Sequence, residues 1–140
     1  MSASIREIVR DYNQAFGDGD FDRVGELLHP DVVFGGAARE VRGASAYIDG
    51  IRRLGRILVR NDIKQILVDG NQAYVLYDFV TSTPAGAVLS GELLTVEDGL
   101  IRSITLLWDM RRWPEVVAGR TEAADRALRR SGAVRQRASR

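Results

Sequence analysis

The sequence predicts an α+β fold in which helices come first and an antiparallel sheet, curled around them, comes second. Three observations carry that prediction. Apolar residues keep helical spacing as far as Leu54. From Ile57 to Trp113 they form long runs broken by Asp69-Gly70-Asn71, Thr83-Pro84-Ala85-Gly86 and Glu97-Asp98-Gly99, the punctuation of antiparallel hairpins. The length, 140 residues, suits one domain and is enough to bury a core without covalent staples.

The elements follow in order. Ser4 precedes Glu7 at capping-box spacing, and Ile5, Ile8, Val9, Tyr12 and Phe16 form one helical stripe closed by Gly17. Asp18-Gly19-Asp20 turns the chain, and Asp20 can cap a second helix that buries Phe21, Val24, Leu27 and Leu28. Pro30 ends it by barring helical angles at His29. A short strand is predicted over 31–34, a loop over 35–43, and a third helix carrying Tyr47, Ile48, Ile51 and Leu54. Strands are predicted over 57–68, 73–82, 87–96 and 100–113. The domain is expected to span 1–114, with 115–140 a basic tail holding at most one weak helix near 122–130.

Composition excludes several function classes. There is no cysteine, hence no disulfide framework, thiolate metal site or cysteine nucleophile. The single histidine, His29, cannot build a multi-histidine metal site, and its place before a proline suits local hydrogen bonding. No metal and no cofactor are expected. No apolar run approaches a membrane span, and Met1–Arg6 lacks the basic-then-apolar order of a signal peptide, so no membrane association and a cytoplasmic location are expected. Net charge is +1, with seven arginines and three acids after Pro114. That tail has no aromatic residue to stack on bases, which argues against nucleic acid and for a solvated tail. Gly17-Asp18-Gly19 follows a helix and is a turn, not a phosphate loop. Arginine supplies nineteen of the twenty basic residues, a composition that suggests a GC-rich bacterial genome.

A set of short motifs resembles the SnoaL-like branch of the nuclear transport factor 2-like superfamily. They are Tyr12-Asn13-Gln14-Ala15-Phe16, Gly19-Asp20-Phe21-Asp22, Leu28-His29-Pro30-Asp31-Val32-Val33-Phe34, Val68-Asp69-Gly70-Asn71, Tyr77-Asp78-Phe79-Val80-Thr81 and Val96-Glu97-Asp98-Gly99-Leu100-Ile101. The resemblance spans about residues 4–113. It implies a cone-shaped, curled sheet wrapped around three N-terminal helices. It also implies a deep apolar pocket, cofactor-free proton transfer by carboxylates, and homodimers formed through the outer sheet face.

Hairpin register proposes the pocket residues. A three-residue Glu97-Asp98-Gly99 loop pairs Val96 with Leu100, and a three-residue Pro84-Ala85-Gly86 loop pairs Thr83 with Ala87. Asp78 then opposes Glu92, and Leu76, Val80, Leu94, Ile104, Leu106 and Trp108 share their face as an apolar, substrate-binding wall. Two opposed carboxylates on such a wall would share a proton and act as acid and base. The other reading is an exposed strand edge or a salt bridge to an arginine such as Arg102. Trp113 is expected past the end of the last strand, away from the wall.

The resemblance extends to two enzymes. Ketosteroid isomerase uses a helix tyrosine and a protonated acid as an oxyanion hole. Tyr12 stands at the place of that tyrosine and Glu92 near the acid, while the general-base aspartate has no counterpart near Gly35-Gly36. Tyr12 serves equally well as a core tyrosine. Limonene epoxide hydrolase has an Asp–Arg–Asp set. Asp78 falls near one aspartate, but Leu76 and Leu106 replace the other two members, and Asp109 suits pairing with Arg111 or Arg112. The expected function is binding of a small, largely apolar organic molecule, with isomerase, cyclase or epoxide-hydrolase-type chemistry by Asp78 and Glu92 assisted by Tyr12. The alternative is a non-catalytic ligand-binding or assembly domain.

Overall fold

The computed structural model describes residues 3–37 and 39–118. The chain runs through α1 (Ile5–Gly17), α2 (Phe21–Leu27), β1 (Leu28–Gly36), β2 (Val41–Arg42), α3 (Ala44–Leu54), β3 (Leu58–Asp69), β4 (Gln72–Thr81), β5 (Ala87–Glu97) and β6 (Leu100–Trp108). A single 3-10 turn, Met110–Arg112, leads into helical residues 113–118. The strands form one sheet in the order β2-β1-β6-β5-β4-β3. It is antiparallel except where β1 runs parallel to β6, so the sheet is mixed rather than purely antiparallel.

The helix starts agree with the caps read from sequence. Ser4 Oγ accepts from Glu7 N at 3.2 Å and Glu7 Oε2 accepts from Ser4 N at 3.4 Å, a complete capping box. Asp20 Oδ1 accepts from Arg23 N at 3.2 Å. The apolar stripe of α1 packs on the sheet, with Val9 and Tyr12 buried. Gly17, the last residue of α1, is glycine for a packing reason: a Cβ there would lie 2.6 Å from Asn61 N of β3. His29 Nδ1 accepts from Asp31 N at 3.0 Å, the local bond expected of it.

The hairpins decide which side chains face the helices. Between β3 and β4, Asp69 pairs with Gln72 across Gly70-Asn71. Between β5 and β6 the loop is two residues, not three, and Glu97 pairs with Leu100. Asp98 and Gly99 both have positive φ, 52° and 77°, as a type I′ turn requires. A bulge between Thr95 and Val96 then adds one residue, so Glu92 opposes Leu106 and Leu94 opposes Ile104. The shift from the predicted register is even, and the predicted faces of β5 and β6 survive.

Between β4 and β5 the shift is odd. Thr81 and Thr83 turn inward, their hydroxyls 2.7 Å apart, and Thr81 N donates to Gly86 O at 2.8 Å. The loop therefore spans Thr81–Gly86, and Val80 pairs with Ala87. Glu92 opposes Val75, while Asp78 opposes Leu89. An odd slip sends every side chain of the strand to the other face. Ala73, Val75, Tyr77 and Phe79 are buried inside; Leu76, Asp78 and Val80 lie on the outer face and leave the predicted wall. That face also exposes Leu67, Leu89, Leu93 and Leu107.

The last strand stops at Trp108 rather than Trp113. Asp109 Oδ1 caps the following turn at Arg111 N, 3.1 Å away, and pairs with the Arg111 guanidinium at 2.5 Å. Arg112 Nη1 donates to Ala85 O at 2.9 Å and Nη2 to Pro84 O, tying the segment to the β4–β5 loop. Val116 is fully buried beyond it. The chain after Pro114 thus continues into the core, past the boundary predicted there. Residues 119–140, with the predicted helix near 122–130, lie outside the described residues. No helix among the described residues is long and apolar enough to cross a membrane.

Truncation after Pro114 removes Val116 from the core. Burial of a side chain of that size stabilises by about 2 kcal/mol. We expect the melting temperature to fall by roughly 6 °C in a thermal melt, reversing the unchanged stability that a wholly solvated tail would give.

Candidate functional site

A cavity of about 460 Å³ lies between the inner sheet face and α3, within the range of small-molecule pockets. Its floor is the sheet: Phe34 of β1, Tyr77 and Phe79 of β4, Ser90 and Glu92 of β5, Leu106 and Trp108 of β6. Tyr47, Ile51 and Leu54 of α3 close one side, and Phe16 of α1 reaches its edge. The exposed residues Ala37, Arg39 and Met110 mark its rim. Leu94 and Ile104, predicted as wall residues, do share the inner face but are fully buried in the core and do not line the cavity.

Glu92 is the polar centre of this apolar space. The residue is 5% exposed. Its Oε1 accepts from Tyr77 Oη at 2.6 Å, and its Oε2 has no partner among the described residues. Burial disfavours the charged form and pushes the carboxyl from the usual 4.5 up to about 7, with the Tyr77 hydrogen bond opposing the shift. A carboxyl poised there is populated in both protonation states near neutral pH, so it can take or give a proton. The predicted partner is absent: Asp78 on the outer face pairs with Lys64 Nζ at 3.3 Å. The acid–base dyad is not formed, and Arg102 pairs with Glu97 instead.

Tyr12 lies one layer behind the cavity. It is buried and shares a short hydrogen bond with Tyr47, whose ring lines the space. Two hydroxyls hold two hydrogens, and their mutual bond uses one. Burial, with the nearby Glu92 charge, raises the pKa of both phenols, so both stay neutral. Tyr47 and Tyr77 escaped the sequence reading as site residues. Tyr47 looked like one more member of the helical stripe. Tyr77 fell on the wrong face through the odd register shift.

The rim holds a second unpredicted feature. Trp108 and Trp113 stack with ring centroids 4.3 Å apart and planes at 25°, and both line the cavity. The segment tied down by Arg112 brings Trp113 back over the sheet, so Trp113 does not lie away from the wall. Trp108 Nε1 has no partner among the described residues. Glu92 Oε2 and Trp108 Nε1 are thus two buried polar atoms without a partner among the described residues, on side chains that line one apolar cavity. Buried polar groups are ordinarily paired, and a pair left open beside a cavity suits a ligand that satisfies both.

Two outcomes follow from this geometry. A raised carboxyl pKa opposes folding once the group must ionise. The penalty is absent below about pH 4.5, where both states are protonated, grows between 4.5 and 7, and is constant above. Its full size corresponds to about 3 kcal/mol. Glu92→Gln should therefore gain stability relative to the parent as pH rises from 5 to 8 in denaturant titrations. A gap independent of pH would place the carboxyl in water. The stacked indoles should give an exciton couplet in circular dichroism that Trp113→Phe abolishes, and both tryptophans should change fluorescence when a hydrophobic ligand enters.

With the geometry in hand, comparison with known proteins is direct. The sequence model of the SnoaL-like domain matches residues 9–104. A crystal structure of a Kribbella flavida protein superposes with a TM-score of 0.73 at 26% identity, covering 83% of this chain and 95% of that one. An NTF2-like protein of Cytophaga hutchinsonii gives 0.70 at 18% identity, covering 82% and 98%. A Sinorhizobium meliloti protein, provisionally described as a polyketide cyclase, gives 0.65 at 22% identity, covering 72% and 94%. No curated protein matches the sequence. On a helix-filled curled sheet with a cavity beneath α3, matched over more than half its length, this chain belongs to the SnoaL-like domain family and has the NTF2-like α+β fold.

Proposed function

We propose that the protein binds a small, largely apolar organic molecule in this cavity and catalyses proton transfer on it without a cofactor. The observation that carries the proposal is Glu92: buried on the cavity wall, one oxygen held by Tyr77, the other unpartnered, its pKa near 7. In its ionised form Oε2 accepts a proton from an activated C–H of the ligand; protonated, the same oxygen returns it to another atom. A ligand oxygen that becomes negative on the way is met by the spare O–H of the Tyr12–Tyr47 pair, with Tyr12 acting through Tyr47 as a positioning residue. Isomerisation and aldol-type ring closure both need this combination. The provisional polyketide-cyclase description of the Sinorhizobium meliloti relative agrees with it.

The second reading, a ligand-binding domain without catalysis, draws on one observation. Among the described lining residues Glu92 is the only carboxylate, so no second carboxylate backs it.

One probe separates the two. 2-Tetralone in D2O exchanges its α-hydrogens through an enol: the base removes a proton from carbon and a deuteron returns. The parent protein should accelerate exchange above buffer, with a rise in rate across pH 7 as Glu92 ionises, and Glu92→Gln should abolish it. Tyr47→Phe should slow it by roughly 100–1,000-fold, the scale of losing one oxyanion donor. Binding of tetralone without exchange would leave the non-catalytic reading.

A further inference from the structure

We infer that the molecule taken by this cavity is an amphiphilic organic anion, its apolar body inside and its anionic head at the rim on Arg39. The inference deepens the binding reading above and rests on it. The cavity lining contains two charged side chains among the described residues, Glu92 and Arg39, and they sit in opposite settings. Glu92 is buried on the central part of the sheet; Arg39 is exposed on the loop between β1 and β2.

The sheet keeps them apart. Glu92 opposes Leu106, and Leu106 is level with Gly36, where β1 ends and the loop towards Arg39 begins. Two strand spacings, about 10 Å, therefore lie between Glu92 and the start of that loop. Ala37 N donates to Leu106 O at 2.7 Å, which fixes the base of the loop against β6. A Cβ on Gly36, whose φ is 97°, would lie 2.3 Å from Leu106 O, so the chain leaves the strand tight against the cavity floor.

Arg39 is also unspent. Its neighbour Glu40 is taken by Arg42 at 2.8 Å. Among the described residues Arg39 itself has neither a hydrogen bond nor an ion pair. Two other exposed arginines are used: Arg52 pairs with Asp22 at 3.0 Å and Arg112 holds the β4–β5 loop. A guanidinium on the lip of an apolar cavity presents a planar fork to a carboxylate or phosphate. Glu92 adds the opposite instruction at the far end, since an anionic group beside it meets a like charge in a dry site. Attraction at the rim and repulsion inside specify one orientation: head out, body in, with the carbon to be deprotonated near Glu92.

The test uses N-phenyl-1-naphthylamine, a neutral fluorescent probe, read by energy transfer from Trp108 and Trp113 so that only probe in the cavity is counted. Decanoate, decyl phosphate and decan-1-ol, which share one body and differ in the head, are titrated as competitors at pH 8 and low salt. We expect decanoate or decyl phosphate to displace the probe at about fivefold lower concentration than decanol. Whichever anion is stronger names the head. Arg39→Gln should remove the difference while leaving the decanol titration unchanged, 0.5 M NaCl should shrink it, and Arg42→Gln should do neither. Equal displacement by all three heads, or a preference that persists in Arg39→Gln, overturns the anionic head while leaving the cavity reading intact. A probe that shows no energy transfer overturns both.

Discussion

The pairing of Val80 with Ala87 is the constraint on which the interior depends. Once that register is set, alternation sends Val75, Tyr77 and Phe79 under the helices and Asp78 to the outer face. The Thr81–Gly86 loop enforces it, because two threonine hydroxyls and a carbonyl satisfy one another inside the turn. Arg112 locks the same loop from the other side through the carbonyls of Pro84 and Ala85. The segment that carries Trp113 to the cavity rim is therefore anchored on the hairpin that places Tyr77 beside Glu92. Floor and rim of the cavity share one mechanical support.

Desolvation sets the protonation balance of Glu92. A carboxyl in water would be ionised and weakly basic at neutral pH. Glu92, which opposes Leu106 and shares the cavity with Phe79, Tyr47 and Tyr77, keeps only the Tyr77 hydrogen bond among the described residues to stabilise its charge. The result is a group poised near neutrality, bought with folding stability at high pH. Such a trade makes sense where a ligand completes what the protein leaves open. The Glu92 oxygen and the Trp108 N–H are buried polar groups that the described residues leave without a partner.

The fold hosts many activities, so family membership alone does not choose among them. The proposed reading draws on the residue set. Asp78 is spent on Lys64, and both Asp78 and Leu76 lie on the outer face, away from the cavity. A single buried carboxyl backed by phenols fits proton relocation on one ligand better than the activation of water between two acids.

The sequence by itself determined the layers. Local signals did this: a capping box at Ser4 and Glu7, an aspartate cap at Asp20, a proline after His29, and glycine turns at Gly70 and Gly99, each acting within a few residues. It also placed Glu92, Leu106 and Trp108 on one face, since the bulge at Thr95–Val96 compensated the shorter turn and the faces were kept. Only the tertiary structure decided the rest. The β4–β5 register turned on how two threonines folded into a loop, and an odd difference there exchanged Asp78 for Tyr77. Tyr47 became a site residue because α3 crosses above the sheet, and Trp113 because Arg112 finds carbonyls 27 and 28 residues earlier in the chain. Partners that far apart in sequence leave no periodic mark on it; they meet only when the sheet has curled and the chain after β6 has returned across its mouth.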